Sequence, residues 1–108
     1  MALKNQMTNL TQTQWEEQIP ADSNAIVLDV RTPEEYGSGH IENAQNVDYL
    51  DEDFFVSEME KADRSKAYYL YCRSGARSAN ACLLLEQMGF ETVFNLRGGI
   101  NNWTGKIV

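Results

Sequence analysis

A chain of 108 residues fits one compact domain around a single hydrophobic core and is too short for two ordinary domains with a cleft between them, so any active site must sit on that domain's loops. Its hydrophobic fraction of 43% and charged fraction of 23% exclude a disordered or fibrous chain. With 16 acidic residues against 9 Lys plus Arg, the formal net charge is −7, which lacks the basic footprint a nucleic-acid backbone requires.

In chain order, Met1 to Thr8 shows neither an apolar signal region nor a cleavage pattern, and no stretch approaches bilayer length; a cytoplasmic protein without membrane contact is expected. Thr11 or Thr13 can cap a helix running through Ile19. Residues 25–30 (AIVLDV) form a short apolar run broken only by Asp29, the form of a strand buried on both faces of a parallel sheet. Pro33 suits a first helical turn ahead of Glu34, Glu35 and Tyr36. A weaker strand pattern covers residues 44–47, a helical one residues 51–62, and a second buried strand residues 67–71. The clearest helix spans residues 78–88, where Ala81, Leu84, Leu85 and Met88 repeat at helical spacing and Gly89 supplies a stop; residues 92–96 form a last strand. Strands alternating with helices predict a single α/β domain over residues 1–108, with a mainly parallel sheet covered by helices on both faces and a ligand site at the strands' carboxyl ends.

The chemistry concentrates in Tyr71-Cys72-Arg73-Ser74-Gly75-Ala76-Arg77-Ser78, which joins an apolar strand to an amphipathic helix. A cysteine there faces the helix N-terminus, whose unpaired N–H groups and dipole favour thiolate over thiol. Arg73 and Arg77 add two cations, and such surroundings lower a cysteine pKa from ~8.5 to roughly 3.5–7.5. Gly75 can take a positive φ and let the loop curl into an anion-binding nest. An inert buried cysteine would need none of these neighbours. Cys82, about one helical turn in from Ser78, is expected beyond disulfide reach of Cys72 and is read as a packing residue. Two cysteines make no disulfide framework, and a reducing compartment is the simpler reading.

Cys72-x-x-Gly75-x-Arg77-Ser78 after an apolar strand resembles the active-site loop of the rhodanese (sulfurtransferase) family. Leu28-Asp29-Val30-Arg31-Thr32-Pro33-Glu34-Glu35-Tyr36-Gly37-Ser38-Gly39-His40-Ile41 is similar to the family's Asp-x-Arg segment followed by Glu-Tyr-x-x-Gly-His-Ile, and Leu96-Arg97-Gly98-Gly99-Ile100-Asn101-Asn102-Trp103 looks like its Leu-x-Gly-Gly-x-x-x-Trp signature. The resemblance implies a five-stranded mainly parallel sheet, a catalytic Cys72, and a donor cradle made by Arg73, Ser74, Gly75, Ala76, Arg77 and Ser78. Asp29 and Arg31 carry over as structural support, with a strand-end carboxylate expected to pair with an arginine and fix the loop. His40, Trp103 and the Gly98-Gly99 turn are expected to be structural. Glu42-Asn43 stands where many members have proline and glycine. Residues 50–59, with Phe54, Phe55 and several acids, correspond to a region that shapes the site's rim.

The resemblance implies transfer of sulfane sulfur from thiosulfate or a related anionic donor, through a Cys72 persulfide, to a thiol, cyanide or an acceptor protein, with no metal or organic cofactor. Two alternatives stand beside it. One is a persulfide carrier or regulatory module without turnover. The other is a cysteine phosphatase or arsenate reductase, disfavoured because four residues separate Cys72 from Arg77, where the phosphatases use five.

Overall fold

Strand β4 (Ala67–Tyr71) is buried along its whole length, which explains why every one of its residues is apolar or aromatic. The computed structural model describes residues 7–108 and places β4 at the centre of a five-stranded sheet, in the order β1-β5-β4-β2-β3. The other strands are β1 (Thr8–Leu10), β2 (Ala25–Asp29), β3 (Gln45–Asn46) and β5 (Thr92–Leu96), and all four pairings are parallel. Parallel neighbours require crossovers, supplied by α1 (Gln12–Ala21), α2 (Pro33–Gly37), α3 (Glu52–Glu60) and α4 (Ala76–Gln87). Among these residues no helix is long and apolar enough to cross a membrane.

The pleat divides the core in two. Tyr68, Leu70 and Cys72 join Phe55 and Met59 of α3 and Ala81, Cys82 and Leu85 of α4 on one face. Ala67, Tyr69 and Tyr71 point the other way, where Trp15 of α1 packs edge-on against both tyrosines. Cys72, one position beyond the strand, therefore belongs to the α3/α4 face.

Most expected elements are present, with shifted ends. Thr11 is the cap of α1, closing a reciprocal box with Gln14, and Asp51 caps α3. Helix α4 begins at Ala76, two residues before the expected start, because Gly75 turns the chain into the helix at φ 103°. The pattern at residues 44–47 shrinks to a two-residue edge strand. Strand β1 had no signal of its own: three residues with only Leu10 buried become a strand by pairing with β5.

Candidate active site

Cys72 leaves the carboxyl end of β4 with its side chain 1% exposed and its sulfur ringed by donors. The Gly75 N–H donates to Sγ at 3.1 Å, the Ser78 N–H at 3.4 Å, and the Ser78 hydroxyl lies 3.4 Å away. These N–H groups are free to do so because the first turn of a helix has no carbonyl partners for them. Burial pushes the Cys72 thiol up, yet the Ser78 hydroxyl and the N–H groups of Ser78, Gly75 and Ser74 together outweigh it and leave the thiol below its ordinary value.

Asn95 on β5 stands behind Ser78. Its Nδ2 donates to Asn9 Oδ1 at 2.9 Å and to the Gly75 carbonyl at 3.2 Å, so its Oδ1 is turned to accept from the Ser78 hydroxyl. That hydroxyl carries one proton for two acceptors, and the thiolate competes for it most strongly once Cys72 is ionised.

The loop's arginines act differently from the expectation. Arg77 is held by Glu35 of α2 in a bidentate pair, with Nη1 to Oε1 at 2.9 Å and Nη2 to Oε2 at 3.0 Å. The exposed Arg73 leans on the same carboxylate, Nε to Oε2 at 3.8 Å. Glu35 also accepts from the N–H and hydroxyl of Thr32, the cap of α2. The Arg77 hydrogen bonds, reinforced by Thr32 and opposed by partial burial, hold the Glu35 carboxyl down at about 2. What lowers the sulfur's pKa is chiefly a set of hydrogen bonds from the loop, while Arg77 is held first by Glu35 and also feels the Cys72 charge.

The strand-end carboxylate does pair with an arginine, but the partner is its near neighbour Arg31. Asp29 pairs with Arg31, Oδ2 to Nη2 at 2.6 Å, and accepts from the Tyr71 hydroxyl at 2.7 Å; both charged groups are buried. Asp29 lies opposite Tyr71 in the sheet register, so the pleat turns it to the face away from Cys72. Arg31 continues to the Gly39 carbonyl at 2.7 Å, tying β2 to the turn after α2. Beneath the loop, the N–H groups of Ile100 and Asn101 donate to the Cys72 and Arg73 carbonyls at 2.9 and 3.0 Å. Gly99, at φ 60°, permits this approach: a Cβ there would come within 2.5 Å of both carbonyl oxygens.

The Rhodanese-like domain family model matches residues 11–106. The chain belongs to the rhodanese family. It is 40% identical to YtwF of Bacillus subtilis, a candidate sulfurtransferase, over 83% of this chain and 84% of that protein. It is also 40% identical to a sulfurtransferase of Allochromatium vinosum over 77% of this chain and 76% of that one. The crystal structure of a rhodanese-like domain protein from Staphylococcus aureus superposes with a TM-score of 0.79 at 27% identity, covering 93% of this chain and 94% of that one.

His40 shares a hydrogen bond with the Tyr36 carbonyl at 3.1 Å and stacks on the Tyr36 ring with centroids 3.8 Å apart. Asn43, in place of the family's glycine, takes φ 71°, which asparagine tolerates better than most residues. Cys82 is free, as is Cys72, and burial pushes its thiol up. Phe55 is buried, whereas Leu50 and Phe54 stand exposed. Glu35 and Asn95 were not singled out by the sequence. Glu35 sits in the family-like Glu-Tyr segment, and its spacing after Thr32 was a legible capping box; Asn95 was a polar residue between the apolar Phe94 and Leu96 of β5.

Proposed function

We propose that this domain is a sulfurtransferase in which the Cys72 thiolate attacks the outer sulfur of an anionic donor. With thiosulfate, Cys72–S⁻ takes up that sulfur to become Cys72–S–S⁻, the sulfur–sulfur bond of the donor breaks, and sulfite leaves with the electron pair. A thiolate, cyanide or acceptor protein then attacks the outer sulfur and restores Cys72–S⁻, a two-step covalent scheme. The observation that carries this reading is the convergence of the Gly75 and Ser78 N–H groups and the Ser78 hydroxyl on Sγ. The cradle formed by Arg73, Ser74, Gly75, Ala76, Arg77 and Ser78 lies in position to stabilise the anions on both sides of the transfer. Asp29 and Arg31 support it from the opposite face by fixing Tyr71 and the turn at Gly39. Free thiols at Cys72 and Cys82 suit a reducing compartment, in keeping with a cytoplasmic enzyme.

The phosphatase alternative needs an arginine free to clamp phosphate, and the bidentate Glu35 partner argues against Arg77 in that role. Intact mass spectrometry tests the proposal. After incubation with thiosulfate or a polysulfide, the wild type should gain one sulfur atom, Cys72→Ser none, and cyanide should remove the sulfur as thiocyanate. A wild type that gains sulfur from neither reagent refutes the transferase reading and favours a binding module.

A further inference from the structure

We infer that Asn95 is a positioning residue that steers the Ser78 hydroxyl, holding it while Cys72 is a thiol or a persulfide and yielding it to Sγ when Cys72 is a thiolate. Asn95 is 3% exposed and reaches the start of α4 through Gly75 and Ser78. Its amide cannot turn round. Nδ2 donates to the Gly75 carbonyl at 3.2 Å, a group that only accepts, so Oδ1 must face the Ser78 hydroxyl. Asn9, the register partner of Asn95 across the β1–β5 pair, takes the second Nδ2 hydrogen at 2.9 Å.

The hydroxyl of Ser78 has one proton and two acceptors, Asn95 Oδ1 and Sγ, the latter 3.4 Å away. A thiol sulfur accepts weakly, so the proton goes to Oδ1. A thiolate accepts strongly and draws it over, which leaves Oδ1 buried without a donor. Ionisation of Cys72 therefore costs a hydrogen bond at Asn95, and Asn95 works against the lowering that Ser78 supplies. Once Cys72 carries a second sulfur, the charge sits on the outer atom, Sγ is again a weak acceptor and the hydroxyl returns to Asn95. The persulfide step rests on the sulfur-transfer reading above, whereas the effect on the thiol does not. The groups whose charge bears on Sγ lie apart from this chain of bonds. Arg77 feels the Cys72 charge, with Glu35 and Asp48 acting on Arg77 in turn, and Cys82 feels it from within α4. Arg73 is exposed, and Tyr68 on the same face donates its hydroxyl to the Asp63 carbonyl at 2.8 Å. Helix α3 packs there with Phe55 and Met59, which do not titrate, and Asp29 and Arg31 pair on the opposite face. A change at Asn95 removes none of these groups.

Asn95→Leu keeps the branching at Cγ and removes both polar atoms, while the Gly75 carbonyl keeps the Ala79 N–H at 3.1 Å. The pH profile of iodoacetamide alkylation at Cys72 should move down by about 0.5–1 pH in this variant. Below the midpoint the rate should rise about threefold to tenfold, the size of one net neutral hydrogen bond. In a Ser78→Ala background, where no hydroxyl remains to steer, the same change should move nothing. A merely structural role for Asn95 has the opposite sign, because a loosened loop loses N–H donors to Sγ. A raised or unmoved midpoint therefore overturns the inference. At a pH well above the midpoint, the ratio of loaded to free Cys72 at a fixed ratio of thiosulfate to sulfite should fall by a similar factor in Asn95→Leu; an unchanged ratio overturns the return of the hydroxyl to Asn95. A wild type that never loads removes the sulfur-transfer reading and leaves the alkylation result standing. Should Asn95→Leu fail to fold, nuclear magnetic resonance of the wild type decides. The Asn95 side-chain amide signals should shift at the Cys72 midpoint and lose most of that shift in Ser78→Ala, and equal shifts in both proteins overturn the inference.

Discussion

Ser78 gives Cys72 both an N–H and a hydroxyl, and these are the groups that most strongly offset the cost of burying a thiolate. Ser78→Ala keeps the N–H and loses the hydroxyl, so the Cys72 titration should move up and alkylation by iodoacetamide at pH 7 should slow by roughly fivefold to tenfold. A pH profile of the alkylation rate checks this; an unmoved profile would assign the lowering to the backbone alone. The same change leaves Asn95 Oδ1 without its donor, at a cost of about 1–3 kcal/mol in stability. The convergence of Gly75 and Ser78 on Cys72 was legible because it is local: all three lie within seven successive residues at a strand-to-helix junction. The effect assigned to the arginines was not. Whether a cation acts on a sulfur or on a carboxylate depends on which acid the fold brings beside it, and Glu35 lies 42 positions from Arg77.

The turn after β5 shapes the loop from below, joined to it by two backbone hydrogen bonds from Ile100 and Asn101. Gly99→Ala would place a methyl group against the Cys72 and Arg73 carbonyls at a backbone angle that alanine resists. It should lower stability by about 2 kcal/mol or more and, under the proposed function, reduce sulfur loading by more than the loss of stability explains, because the displaced carbonyls are those of Cys72 and Arg73. Thermal unfolding beside mass-spectrometric loading separates the two effects. The helices and the buried strands were readable from apolar spacing, while the structure decides between Thr11 and Thr13 as the cap of α1 and adds Asp51 as that of α3. Strand β1 was not, since an edge strand with one buried side chain owes its form to the partner it pairs with.

For the molecule as a whole, the Glu35 tie couples stability to acid. Its folded pKa, about 2, lies below the ordinary carboxylate range because Arg77 donates to it twice. A depressed folded value contributes stability that is complete above the unfolded pKa of ~4.3 and is lost as pH falls through the folded one. The stability gap between wild type and Glu35→Gln, read from thermal or denaturant unfolding, should therefore hold steady at pH 5 to 7, at about 1–2 kcal/mol for a partly exposed pair, and close between about pH 4.5 and 2. A gap that persists at pH 2 would show that the ion pair is not its source. The amino-acid order already settled the alternation of strands and helices and the cysteine at a helix N-terminus, because each depends on neighbours within a turn or a strand. Tertiary structure decided which face each strand residue meets, that Asp29 turns to Arg31 and Tyr71, and that Glu35 takes both loop arginines. Those choices rest on the β2–β4 register and on the placement of α2, which bring together groups that no local pattern relates.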